Sequence, residues 1–86
     1  MSPLRVVLSD QSKKELGRIP RDLVARVLKA IFRYAESGYG DVKRLQGASG
    51  LYRLCVGEWR VLFAIDYSSM EMVVQHVLPR GSAYRD

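Results

Sequence analysis

Gly50-Leu51-Tyr52-Arg53-Leu54-Cys55-Val56-Gly57-Glu58-Trp59-Arg60-Val61-Leu62-Phe63-Ala64-Ile65-Asp66 decides how the rest of this sequence can be arranged. β-Branched and aromatic residues flank Gly57-Glu58, and glycine takes φ > 0 without steric cost. The stretch therefore predicts two β-strands joined by a tight turn. Period two divides each strand between two faces. Tyr52, Leu54, Val56, Trp59, Val61, Phe63 and Ile65 form an apolar set that must be buried. Arg53, Cys55, Arg60, Leu62 and Ala64 stand on the other side. Two arginines thus share the face opposite the core, held on strands, an arrangement suited to an anion.

Before this hairpin, Lys43-Arg44-Leu45-Gln46-Gly47 leads in through Ala48-Ser49-Gly50, after a Tyr39-Gly40-Asp41 loop. Further upstream, Leu23, Val24, Val27, Leu28, Ile31, Tyr34 and Ala35 recur at helical spacing between Arg21 and Ser37, with Gly38 closing the run. Pro20 suits the start of that helix, where its missing N–H leaves no bond unmade. Arg26, Lys29 and Arg33 lie on its far side, either a solvated face or a grip for RNA. A shorter helix through Lys13, Lys14, Glu15 and Leu16 is capped by Ser9 or Asp10 and ended by Gly17. Leu4-Arg5-Val6-Val7-Leu8 reads as an opening strand. After the hairpin, Asp66-Tyr67-Ser68-Ser69 is a polar turn and Met70 to Leu78 a strand of mixed pattern. Pro79 to Asp86 is a tail.

The order is strand, helix, helix, then three strands on short connections, which implies antiparallel pairing. An α+β two-layer domain follows, spanning residues 1–86, with helices packed on one face of the sheet and the other face open. At 86 residues the chain supports one core. Cys55 alone permits no intramolecular disulfide and no cysteine zinc site. No apolar run approaches the ~18 residues of a membrane span, and the first residues lack a signal-peptide pattern, so cytosol is the expected compartment. A net charge of +5 favours an anionic partner, nucleic acid or an acidic protein segment. Between Val42 and Arg60 the charge is concentrated, with Lys43, Arg44, Arg53 and Arg60 against Glu58.

Taken in order, Ile19-Pro20 before a long helix, Lys43-Arg44-Leu45-Gln46-Gly47, Gly50-Leu51-Tyr52-Arg53-Leu54, Gly57-Glu58-Trp59-Arg60-Val61-Leu62, Ala64-Ile65-Asp66 and Arg80-Gly81-Ser82-Ala83-Tyr84-Arg85 resemble the RelE/ParE toxin superfamily of bacterial toxin–antitoxin pairs. The resemblance covers nearly the whole chain. It implies a compact sheet with helices on one side, and a cognate antitoxin that wraps the toxin with an acidic amphipathic segment. RelE-type members cut mRNA in the ribosomal decoding site without a metal or cofactor; ParE-type members poison DNA gyrase. For a RelE-type activity the resemblance assigns catalytic places to Arg53, Arg60, Arg80 and Tyr84, with Lys43, Arg44 and Arg85 as RNA contacts. The chain departs from the family at Cys55 and Leu78, where RelE-type enzymes carry further basic residues, and at Pro79, where many have histidine. Those departures keep open a gyrase-binding protein without chemistry, and a relic that only binds its partner.

Metal-free RNA cleavage needs a base for the 2′-hydroxyl, a stabiliser for the charge growing on phosphorus, and an acid for the leaving oxygen. Arginine suits the second task, since its planar fork binds phosphate oxygens bidentately, but it is a poor base. Arg60 is the first candidate, with Arg53 and Arg80 in support. His76 is the only histidine, and with an unperturbed pKa of ~6.5 that side chain can act as base and acid. It has a structural alternative, a hydrogen bond to a neighbouring element. If its strand runs straight to Arg80, the two share a face. Tyr84 either orients the nucleophile, stacks on a base, or pins the tail to the core.

Overall fold

A computed structural model of the chain describes residues 3–45, 47 and 50–82. In chain order the elements are β1 (Arg5–Leu8), α1 (Asp10–Leu16), α2 (Arg21–Ser37), β2 (Val42–Arg44), β3 (Tyr52–Val56), β4 (Trp59–Asp66), β5 (Glu71–Pro79) and a 3-10 turn at Arg80–Ser82. They form a five-stranded sheet in the order β1-β5-β4-β3-β2. β1 runs parallel to β5, and every other pair is antiparallel.

The hairpin forms where its residues require it. Gly57 turns the chain at φ 56, and Val56 pairs with Trp59 across the turn. The apolar set faces the helices: Leu54, Val61 and Phe63 are buried and Tyr52, Val56, Trp59 and Ile65 pack against them. α2 supplies Val27, Ile31 and Ala35 to the same core. Phe63 is the centre, its ring 5.3 Å from Tyr34 and 5.5 Å from Tyr52. Burying such a side chain contributes roughly 1.5–3 kcal/mol. Pro20 opens α2, its carbonyl accepting the Leu23 and Val24 amides, and Gly38 ends it at φ 78 with its N–H on the Tyr34 carbonyl.

The expected three-strand meander is present and is longer by one. β2 pairs with β3 through Val42–Leu54, Lys43–Arg53 and Arg44–Tyr52. With one apolar residue in three, β2 carries no strand pattern of its own; the exposed edge of β3 recruits it. The mixed pattern of β5 also has a cause. Leu62 stands opposite His76 and Phe63 opposite Val74, so Gln75 is an inserted bulge residue. Burial accordingly falls on Met72 and Val74 and then skips to Val77.

α1 lies along β5 where β1 stops. There the Ser9 amide donates to the Val74 carbonyl (2.9 Å), Ser9 Oγ donates to the Gln75 carbonyl (2.9 Å), and the Val77 N–H donates to Glu15 Oε1 (2.9 Å). A helix N-cap and a carboxylate thus replace a strand on that edge.

Candidate functional site

The face away from the helices carries two rows of side chains that cross the strands. Cross-strand partners share a face, so Lys43, Arg53, Leu62 and His76 line up over β2, β3, β4 and β5. Cys55, Arg60 and Leu78 form the next row. With strands ~4.8 Å apart, the Arg53 and His76 backbones lie about 9.6 Å from each other, and Arg60 is the diagonal neighbour of His76 at roughly 7–8 Å. Leu62 is fully buried between Arg53 and His76, although it belongs to the face opposite the core. The face is therefore a charged rim around an apolar floor.

Arg60 does not extend freely from β4. Its guanidinium folds back on the hairpin, donating to the carbonyls of Gly57 and Trp59, each at 2.9 Å. Arg80 reaches the same turn by its backbone, its N–H donating to the Glu58 carbonyl at 2.8 Å. β5 ends at Pro79 and Arg80 begins the 3-10 turn, so the straight strand that would align His76 with Arg80 is not formed. Proline at 79 has no N–H to continue a ladder. Arg44 pairs with Tyr52 and so stands on the helix side of the sheet, exposed and apart from the Lys43–His76 row. Tyr84 and Arg85 lie outside the described residues.

His76 is one-third exposed, and its Nδ1 lies 3.3 Å from Glu15 Oε2, a carboxylate that is itself only 10% exposed. Burial pushes the Glu15 carboxyl up, but hydrogen bonds from the Val77 N–H, Gln11 and His76, with the attraction of His76, outweigh it and leave the group below its ordinary value. From the sequence Glu15 is only a residue of the short helix, with no role at the site. Its partners are 61 and 62 residues away, and only the fold brings them together.

On the helix side, a cleft of ≈ 350 Å³ runs between the Arg26, Lys29 and Arg33 stripe of α2 and Leu54–Val56 of β3. β2 pairs with β3 only as far as Leu54; beyond it the Cys55 N–H donates to the Asp41 carbonyl at 3.0 Å, and Val56 borders the cleft with no β2 residue paired to it. Arg33 covers the exposed Tyr39 ring, 3.9 Å from its centroid. Among the described residues no three of His, Cys, Asp and Glu gather where a metal could be held. Among the described residues no helix is long and apolar enough to cross a membrane either.

No protein-family model matches the sequence, and no curated protein matches it significantly. Solved structures do match. The RelBE2 toxin–antitoxin complex of Mycobacterium tuberculosis gives a TM-score of 0.84 at 23% identity, covering 95% of this chain and 97% of that one. The RelE–RelB complex of Pyrococcus horikoshii gives 0.76 at 26% identity, covering 93% and 98%. The intact RelBE complex of Escherichia coli gives 0.74 at 15% identity, covering 95% and 99%. Agreement at this level over whole chains, with sequences this far apart, is agreement of fold, and it makes the chain RelE-like: a protein built on the fold of the RelE toxins.

Proposed function

We propose that this protein is the toxin of a type II toxin–antitoxin pair, acting in the cytoplasm as a metal-independent endoribonuclease on mRNA in the ribosomal decoding site. The single observation that supports the activity most is the sheet face away from the helices, where Arg53 and His76 flank Leu62 in one row and Arg60 stands in the next, on a RelE-type fold. Arg53 and Arg60 would bind the scissile phosphate and offset the charge that develops on it. Arg60 would first have to exchange its turn carbonyls for phosphate oxygens, a trade of neutral hydrogen bonds for charge-assisted ones. Arg80 and Tyr84 would act from the C-terminal segment, and Lys43 and Arg85 would contact RNA beyond the scissile bond, whereas Arg44, on the helix side, would not belong to that surface. The ribosome would supply orientation, which is worth several kcal/mol.

The partner is a cognate antitoxin, since the matched structures are RelE–RelB complexes. The Arg26, Lys29 and Arg33 stripe beside the β3 edge suits an acidic segment of it. RelE neighbours favour this reading over the gyrase-directed alternative, which the departures at Cys55 and Leu78 alone supported.

The activity is tested by adding the purified protein to ribosomes programmed with a defined mRNA in excess EDTA, after the ribosomes have been assembled and cross-linked. Cleavage to a 2′,3′-cyclic phosphate and a 5′-hydroxyl end is expected, with little cleavage of the same RNA off the ribosome. Intact mRNA together with relaxed, unligated gyrase products in a parallel assay would move the assignment to gyrase.

A further inference from the structure

We propose that Glu15 is a positioning residue that makes His76 the proton acceptor of the open face; this deepens, and rests on, the nuclease reading above. An ionised carboxylate only accepts hydrogen bonds, so the imidazole nitrogen facing it has to carry the proton. Nδ1 is that nitrogen, 3.3 Å from Oε2, which leaves the lone pair of the neutral ring on Nε2. Glu15 is not free to swing away. Its other oxygen holds the Val77 N–H at 2.9 Å, Gln11 donates to Oε2 at 3.2 Å, and the side chain is 10% exposed. Nε2 has no partner among the described residues, and the ring is one-third open to solvent.

The location makes that lone pair useful. His76 ends the row that begins at Lys43 and Arg53, and it is diagonal to Arg60. Leu62 fills the sheet between Arg53 and His76, whose backbones are about 9.6 Å apart, so a phosphodiester would lie over that leucine with its phosphate toward Arg53 and its ribose toward His76. In the step so defined, His76 Nε2 removes the 2′-hydroxyl proton and the 2′-oxygen forms a bond to phosphorus. The bond from phosphorus to the 5′-oxygen breaks, and that oxygen takes a proton from the imidazolium. The products are a 2′,3′-cyclic phosphate and a 5′-hydroxyl, with the histidine restored and no water consumed.

Glu15→Gln separates positioning from folding. The amide has one acceptor oxygen, which can keep the Val77 N–H, and its NH₂ then faces Nδ1. A donor at that place requires Nδ1 to accept, so the proton moves to Nε2 and the lone pair there is lost. Two-bond ¹H–¹⁵N correlation spectra at about pH 8, where an ordinary imidazole is neutral, read the tautomer directly. We expect the Nδ1–H form in the unmutated protein and the Nε2–H form in Glu15→Gln. Cleavage on programmed ribosomes should slow at least tenfold in Glu15→Gln and in His76→Ala, with no further loss in the double variant. An unchanged tautomer overturns the proposal, and so does a switched tautomer with undiminished cleavage. If the unmutated protein cleaves nothing, the nuclease reading and the catalytic role fall together, while the tautomer spectra still report whether Glu15 orients the ring.

Discussion

Ser9 joins two elements through one hydroxyl. It caps α1 by accepting the Ser12 N–H at 3.0 Å and donates to the Gln75 carbonyl on β5. Replacing it with alanine removes a cap and leaves a carbonyl on an uncovered strand edge. We predict a loss of about 1–2 kcal/mol for Ser9→Ala in urea denaturation, with the slope unchanged. Glu15 serves the same edge and makes stability pH-dependent. Its carboxyl is depressed below the reference value of 4.5 because the fold favours the charged form, so its contribution is present above that value and is lost as pH falls through the folded one. Glu15→Gln should therefore be less stable than the unmutated protein near pH 7, and the difference should shrink as the pH is lowered to about 3. A constant difference across that range, measured by denaturant titration at each pH, would mean that the charge plays no part.

Elements were legible in the sequence wherever one residue type had one physical job. The hairpin was, because Gly57 separates two alternating apolar runs, and so was α2, bounded by Pro20 and Gly38. Gly57→Ala tests the hairpin: φ 56 strains any residue with a Cβ, although a Cβ there would meet open space. A cost of roughly 1 kcal/mol is expected, read as a lowered thermal midpoint. β2 was not legible, since Val42-Lys43-Arg44 is a strand only by virtue of the β3 edge beside it. The bulge at Gln75 hid the alternation of β5 in the same way, by moving the burial from even positions to Val77. Parallel pairing of β1 with β5 depends on contacts 66 residues apart, which local pattern cannot report. For the site, period two alone put Arg53 and Arg60 on one face, whereas His76 was tied to them only through a straight run to Arg80 that does not form; its place opposite Leu62, the fold-back of Arg60 and the Glu15 contact are tertiary facts.

At the scale of the molecule, the sheet has two working sides. The helix side carries the core and a basic cleft along α2; the opposite side carries the Lys43–His76 row over a buried leucine. Under the proposed function an antitoxin and an RNA would use different surfaces, and the proposed toxicity would be separable from the fold. Arg60→Ala should cost only about 1–2 kcal/mol in stability, because it loses two bonds to hairpin carbonyls, one exposed and one part-buried, and no core contact, so a loss of the proposed toxicity in a variant that still folds reports function. The measurement that tests the central claim most directly is transcriptome-wide mapping of mRNA 5′ ends shortly after induction in a bacterium, with Arg60→Ala as the control. New ends inside coding regions, in register with codons and absent from the variant, are the predicted result. Growth arrest without new ends, or the same ends in both strains, would contradict it.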